Sequence, residues 1–219
     1  MDLCRTIRED SCTEIEVKKS RFIAHVHPVS TEAEALAFLD EIRSTHRTAR
    51  HNVYAYILHD DSGNGGAERI RYSDDGEPSQ TAGLPVLEAL QHAHLTNIAC
   101  VVTRYFGGTL LGTGGLVRAY TQAVQSALHA ARIARVVQCV EVETVCAYPL
   151  YEQIQRIAVD TAGEIVRTSF TDTVSVTIRT ECTNKELLIE KLTALLKGNN
   201  GLTVSQPFNA LMDDDTPSN

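Results

Sequence analysis

The chain has no apolar run approaching the roughly 18 residues of a membrane-spanning helix, so no membrane partner is expected. It has no C-x-x-C pair. Cys4, Cys12, Cys100, Cys139, Cys146 and Cys182 stand apart, which removes the common redox and zinc spacings and makes free thiols the expectation. Its most glycine-rich stretch lacks both the lysine of a P-loop and the G-x-G-x-x-G order of a dinucleotide site. Without G-x-S-x-G, H-E-x-x-H or a cysteine-protease context, no catalytic residue is assigned. The opening MDLCRTIREDSC is polar and carries charges of both signs, unlike a secretory leader. A cytoplasmic location is expected.

What is present is an ordinary globular composition: 219 residues, 43% hydrophobic and 22% charged, enough for one large domain or two small ones. The net charge of −8 argues against loose, purely electrostatic nucleic-acid binding. That charge is uneven. Residues 1–134 hold 13 Lys and Arg against 16 Asp and Glu, and all 8 histidines, while the remainder holds 7 against 12. A local basic surface on the first part is therefore open.

The segment Asn97–Tyr120, NIACVVTRYFGGTLLGTGGLVRAY, is the most informative. An apolar strand bearing Arg104 runs into Gly107, Gly108, Gly112, Gly114 and Gly115, and a helix carrying Arg118 follows. Glycine-rich turns and a helix start offer free N–H groups and a positive dipole end, a layout able to hold an anion. The competing reading is a tight strand-to-helix turn with Arg104 and Arg118 paired to carboxylates.

Around it, two short strands flank Lys18-Lys19-Ser20 within 14–29. Thr31 and Glu34 form a capping box ahead of the helical stripe Ala35, Phe38, Leu39 and Ile42. Strands are expected at Asn52–His59 and Glu68–Ser73 around a turn at Asp60–Ala67, with a helix at about 81–93. Leu116, Ala119, Tyr120, Ala123, Val124, Ala127, Leu128 and Ala131 make a core helix stripe. From Val136 the pattern restarts: a strand to 147, a helix with Pro149 near its start and Gly163 at its C-cap, and a hairpin turning at Thr171-Asp172. A second T-x-x-E box (Thr183, Glu186) opens a helix, and Leu202–Phe208 is a last strand. The order β-α-β-β-α-β is ferredoxin-like. The expected organisation is thus α+β with two domains, 1–134 and 135–210, and a disordered acidic tail at 211–219.

Asp74, Asp75 and Glu77 put three carboxylates in four residues. They could hold Mg²⁺ or divide acid and base roles. The plainer reading is a turn with Ser79 or Thr81 capping the next helix. Ile42–Asn52 carries Arg43, His46, Arg47, Arg50 and His51 with no acid, readable either as a phosphate-contacting patch or as a dipole-matched helix end. His25 and His27 share a strand face, but a zinc site would need a further ligand, so no metal and no cofactor is assigned.

Lys19-Ser20-Arg21-Phe22, ARHNVYAY at Ala49–Tyr56, SDDGEPSQTAG at 73–83 and TRYFGGTLLGTGGLVRAY at 103–120 together resemble the YigZ/IMPACT family over nearly the whole chain. Gln80 stands where the family usually has Gly or Ala, and Leu84 where Lys is common. The resemblance implies an N-terminal domain like domain IV of elongation factor G and a ferredoxin-like C-terminal domain like its domain V. Eukaryotic relatives modulate translation by interfering with activation of a starvation-responsive initiation-factor kinase. They bind that kinase's activator protein, an arrangement bacteria lack.

The function expected from this is a translation-associated protein contacting RNA or a ribosomal component, rather than an enzyme. Its surface would comprise Arg21, Arg47, Arg50, His51, Arg104 and Arg118 with the glycine-loop amides. The alternatives are a Mg²⁺-dependent enzyme built on Asp74, Asp75 and Glu77 with a phosphate-bearing substrate, and a protein-interaction module offering the ferredoxin-like sheet.

Overall fold

A computed structural model of the protein describes residues 4–59, 68–197 and 201–213. The described chain is α+β and divides into two compact units, Cys4–Arg135, which the chain rejoins at Leu211, and Val136–Ala210.

The first unit runs β1 (Cys4–Ile7), β2 (Ser11–Val17), β3 (Ser20–Pro28), α1 (Glu32–Thr45), β4 (His51–His59), β5 (Glu68–Ser73), α2 (Gly83–His92), β6 (Ile98–Tyr105) and α3 (Thr113–Ala130). Its sheet has the order β2-β3-β6-β4-β5, with every neighbouring pair antiparallel. The period of two along each strand sorts the side chains. Phe22, Ala24, Val26, Val53, Ala55, Ile57, Ile98, Cys100 and Val102 form one core with the stripes of α2 and α3. Tyr56, Leu58, Ala99 and Val101 face the other way and pack with Ala35, Phe38, Leu39 and Ile42 of α1. Because both faces of β6 are covered, it reads as a continuous apolar run rather than an alternating one.

The chain enters the second unit along β7 (Ile133–Cys146) and continues through α4 (Tyr148–Asp160), β8 (Glu164–Phe170), β9 (Val174–Glu181), α5 (Lys185–Leu195) and β10 (Thr203–Val204). These strands pair antiparallel in the order β10-β7-β9-β8, the ferredoxin-like arrangement. Val142, Val176 and Ile178 of the sheet are buried against Ile154 of α4 and Leu188 and Leu192 of α5.

Several local expectations are corrected. Leu202–Phe208 is not one strand. Pro207 supplies no N–H for a ladder, and the segment splits into β10 and β11 (Phe208–Asp213). Leu211–Asp213, expected in a disordered tail, thus belong to a strand. Met212 is buried, and Asp213 pairs with Arg8 and Arg132 at 2.7 Å each. Neither Ser79 nor Thr81 caps α2; the distant Asp74 does. Asn184 rather than Thr183 precedes α5, with no side-chain cap. At the end of α4 the left-handed residue is Ala162 (φ 51°), and Gly163 is needed for space, since a Cβ there would meet Ile178 at 2.9 Å. The Asp60–Ala67 turn and residues 214–219 lie outside the described residues.

Candidate anion and nucleic-acid interface

Antiparallel register gathers the motifs at one end of the first sheet. Arg21 at the start of β3 lies opposite Tyr105 at the end of β6, and His51 at the start of β4 lies opposite Arg104. The Lys18-Lys19 hairpin, the glycine loop that leaves β6, the Arg47–Arg50 approach to β4 and the Asp74–Glu77 turn that leaves β5 therefore share this end.

Arg104 does not reach the surface. Its Nη1 meets Glu77 Oε1 at 2.6 Å, and the two side chains are only 7% and 4% exposed. Tyr120 donates its hydroxyl to the same Glu77 oxygen at 2.8 Å. Burial, and then the Glu77 charge, push that hydroxyl well above the usual tyrosine range. Arg104 Nε is buried with no hydrogen-bond partner. The guanidinium lies instead near the rings of Phe22 and Phe106, at 5.5 and 5.7 Å from their centroids.

Each carboxylate of the acidic turn is committed to the protein. Asp74 accepts the amides of Gln80, Ala82 and Gly83 at 2.8–3.0 Å, satisfying open donors at the start of α2. Asp75 accepts Asn52 N at 2.7 Å and Arg43 at 3.3 Å, and its carbonyl accepts from His51 Nδ1 at 2.8 Å, which assigns the tautomer. With Glu77 buried under Arg104 and Tyr120, the three do not converge. Among the described residues no three His, Cys, Asp or Glu groups do so in a manner able to hold a metal ion. In this structure each of the three carboxylates accepts hydrogen bonds from the protein itself.

The glycine loop is anchored at one end and open at the other. Gly107 donates its amide to Ser20 Oγ at 3.1 Å, and a Cβ there would fall 2.0 Å from the Lys19 carbonyl carbon. Gly112, at φ 74°, precedes α3 without a side-chain cap. A Cβ on Gly108, Gly112 or Gly114 would meet nothing within 4 Å, while one on Gly115 would meet Leu111 Cβ at 3.0 Å. Gly112, Thr113 and Gly114 are exposed, and the N-cap glycine offers the first turn of α3 no side-chain acceptor.

The Impact N-terminal domain matches residues 18–128, which hold every element of this sheet end. The chain belongs to the IMPACT family. A second match, to a domain of unknown function (DUF1949), covers residues 144–199 within the ferredoxin-like unit. The Bacillus subtilis IMPACT family member YvyE is 46% identical over 125 residues, 57% of this chain and 55% of that protein, so the chain spans about half the length of that relative. The Escherichia coli IMPACT family member YigZ is 37% identical over 157 residues, 71% of this chain and 74% of YigZ. A crystal structure described as that of a hypothetical protein superposes with a TM-score of 0.58 at 30% identity, covering 93% of this chain and 97% of the other.

Within this IMPACT fold the cations at the sheet end differ in availability. Arg21 is spent on Glu14 through two hydrogen bonds of 2.7 and 2.8 Å, which hold the Glu14 carboxyl below its ordinary range. His51 is committed to the Asp75 carbonyl. Arg47 is exposed but turns Nε onto the Ser44 carbonyl at 3.1 Å. Arg50 and Arg118 are exposed and pair with no carboxylate among the described residues. Lys18 and Lys19, not among the site residues expected from the sequence, are equally exposed and unpaired among the described residues, with the Lys19 backbone against Gly107. Their signal was a Lys-Lys pair at a hairpin whose register places it beside the loop, a long-range fact that spacing along the chain does not carry. Among the described residues no helix is long and apolar enough to cross a membrane.

Proposed function

We propose that this protein is a translation-associated binding protein that takes hold of RNA phosphates at the glycine-loop end of its first sheet. Lys18, Lys19, Arg50 and Arg118 supply charge, and the uncapped first-turn amides of α3 supply directed donors. Arg104 and Glu77 act beneath this surface as its support. The reading is supported by Lys18, Lys19 and Arg50 at this sheet end and Arg118 on α3, all without carboxylate partners among the described residues, together with a helix start whose N-cap glycine offers no side-chain cap. The acidic remainder of the chain limits indiscriminate attraction, so contact depends on this patch. The family resemblance, with its link to translational control, directs the search toward ribosomal or initiation-associated RNA.

The test is fluorescence anisotropy with RNA fragments across a salt series, comparing the wild type with a Lys18→Ala/Lys19→Ala/Arg118→Ala variant. Affinity is expected to fall as salt rises, and the variant to lose most of it with a shallower slope, by about one per phosphate contact removed. Salt-independent binding, or a variant that binds like the wild type, defeats the proposal.

A further inference from the structure

Phe106 follows β6 directly and is 56% exposed. Burial is the default for a ring of this size, and the strand before it is buried through Arg104, with Tyr105 half-buried. Its backbone is fixed on the C-terminal side, where Gly107 is held by Ser20 and pressed against Lys19. From within, the Arg104 guanidinium lies 5.7 Å from its centroid, itself immobilised by Glu77 at 2.6 Å. The ring is thus mounted on rigid parts, with a cation on one side and solvent on the other. Such a mount loses little entropy when a second flat group lands on it. Around it stand Lys18 and Lys19 on the adjoining hairpin, and the open amides of α3 lie along the same loop.

We propose that Phe106 is a stacking platform for an unpaired base of RNA, with the flanking phosphates held by the cations and amides beside it. This rests on the phosphate-binding reading above and narrows it to single-stranded or looped RNA. In a duplex both faces of each base are already stacked, whereas a splayed base offers a free π-face. A protein partner fits less well. The cores of protein interfaces are depleted of charge, and Lys is disfavoured there, whereas this ring is backed by a buried cation and bordered by two lysines.

The experiment measures binding of the full chain to a single-stranded RNA, the matching duplex and the same strand with abasic positions. Phe106→Ala is expected to weaken single-strand binding about tenfold, to leave abasic-strand affinity and the salt slope unchanged, and to keep the thermal midpoint. Because the chain contains no tryptophan, Phe106→Trp introduces a sole indole, expected to be quenched by the base-bearing strand and not by the abasic one. If Phe106→Ala binds the single strand as tightly as wild type while Lys18→Ala/Lys19→Ala/Arg118→Ala loses it, stacking is overturned and phosphate binding stands. If the wild type binds no RNA, both readings fall. A Phe106→Ala variant that keeps its RNA affinity but loses a protein ligand reassigns the ring to protein docking.

Discussion

The Arg104 guanidinium and the Glu77 carboxylate form a buried ion pair at 2.6 Å, and the Tyr120 hydroxyl joins the same oxygen at 2.8 Å. Three segments far apart in the chain meet there: the end of β6, the acidic turn after β5 and the second turn of α3. The pair sits at the foot of the glycine loop, so it determines whether that loop has a fixed shape to present.

Removing one partner leaves a buried charge without compensation. Glu77→Ala is expected to destabilise the first unit by about 3–5 kcal/mol, whereas the joint apolar replacement Glu77→Leu/Arg104→Met recovers most of that loss. Tyr120→Phe, which deletes one hydrogen bond to the Glu77 carboxylate, costs about 1.5–3 kcal/mol. Urea titration of the four proteins checks the ordering. A double variant no better than Glu77→Ala would show that the pair is not the organising contact.

Two glycines a few residues apart are expected to respond in opposite directions. Gly107→Ala drives a Cβ to 2.0 Å from the Lys19 carbonyl carbon, which only backbone movement relieves, so the thermal midpoint drops. Gly114 lies in the first turn of α3, with nothing within 4 Å of a Cβ, and Gly114→Ala stabilises by about 0.5–1 kcal/mol through helix propensity and reduced unfolded-state entropy. Differential scanning fluorimetry distinguishes the two. Equal shifts would mean that the loop's glycines serve one common purpose.

Much of the architecture could be read in the residues, because the signals were local. The Thr31 cap that accepts Glu34 N at 3.2 Å, the α3 stripe and the alternation in β9 all lie within one element. The failures were non-local. Asp74 caps a helix beginning nine residues later, so the nearest hydroxyls looked like better candidates. For Arg104 a contact surface and a carboxylate pair were both open, and nothing near it in the chain names Glu77, 27 residues away, as the partner. Lys18 and Lys19 gained meaning only when strand register laid their hairpin against Gly107. Strand β1 escaped notice because Cys4–Ile7 is short and mixes polar with apolar residues.

Asp74 serves α2 as a cap of three amide contacts, and its loss should be felt as loss of a helix terminus. Asp74→Ala is expected to cost about 1–2 kcal/mol, and Asp74→Asn less, since an amide oxygen still accepts. Because all three carboxylates of the turn are occupied by protein donors, added Mg²⁺ is expected to leave the melting midpoints of the wild type and Asp75→Asn unshifted. A magnesium-dependent rise that vanishes in Asp75→Asn would restore the enzymatic alternative.

His25 of β3 lies on the face of the sheet opposite α2 and α3, with Cys12 Sγ at 4.0 Å from its Nε2 and the His46 ring 5.4 Å away, centroid to centroid. Burial, and secondarily the charge of His46, hold His25 below its ordinary value of 6.5. The unfolded chain consequently binds the proton more readily than the folded one. Stability is full above pH 6.5 and is lost as pH falls from there through the lower folded value. Glu14 and Glu32, both held below the ordinary 4.5, add their losses only at still lower pH, so the windows separate. Urea midpoints measured from neutral pH down to about 5 are expected to decline in the wild type and to flatten in His25→Gln. His46→Gln should flatten the curve in part, by removing one of the two causes. If His25→Gln keeps the full wild-type slope, the acid sensitivity belongs to another group.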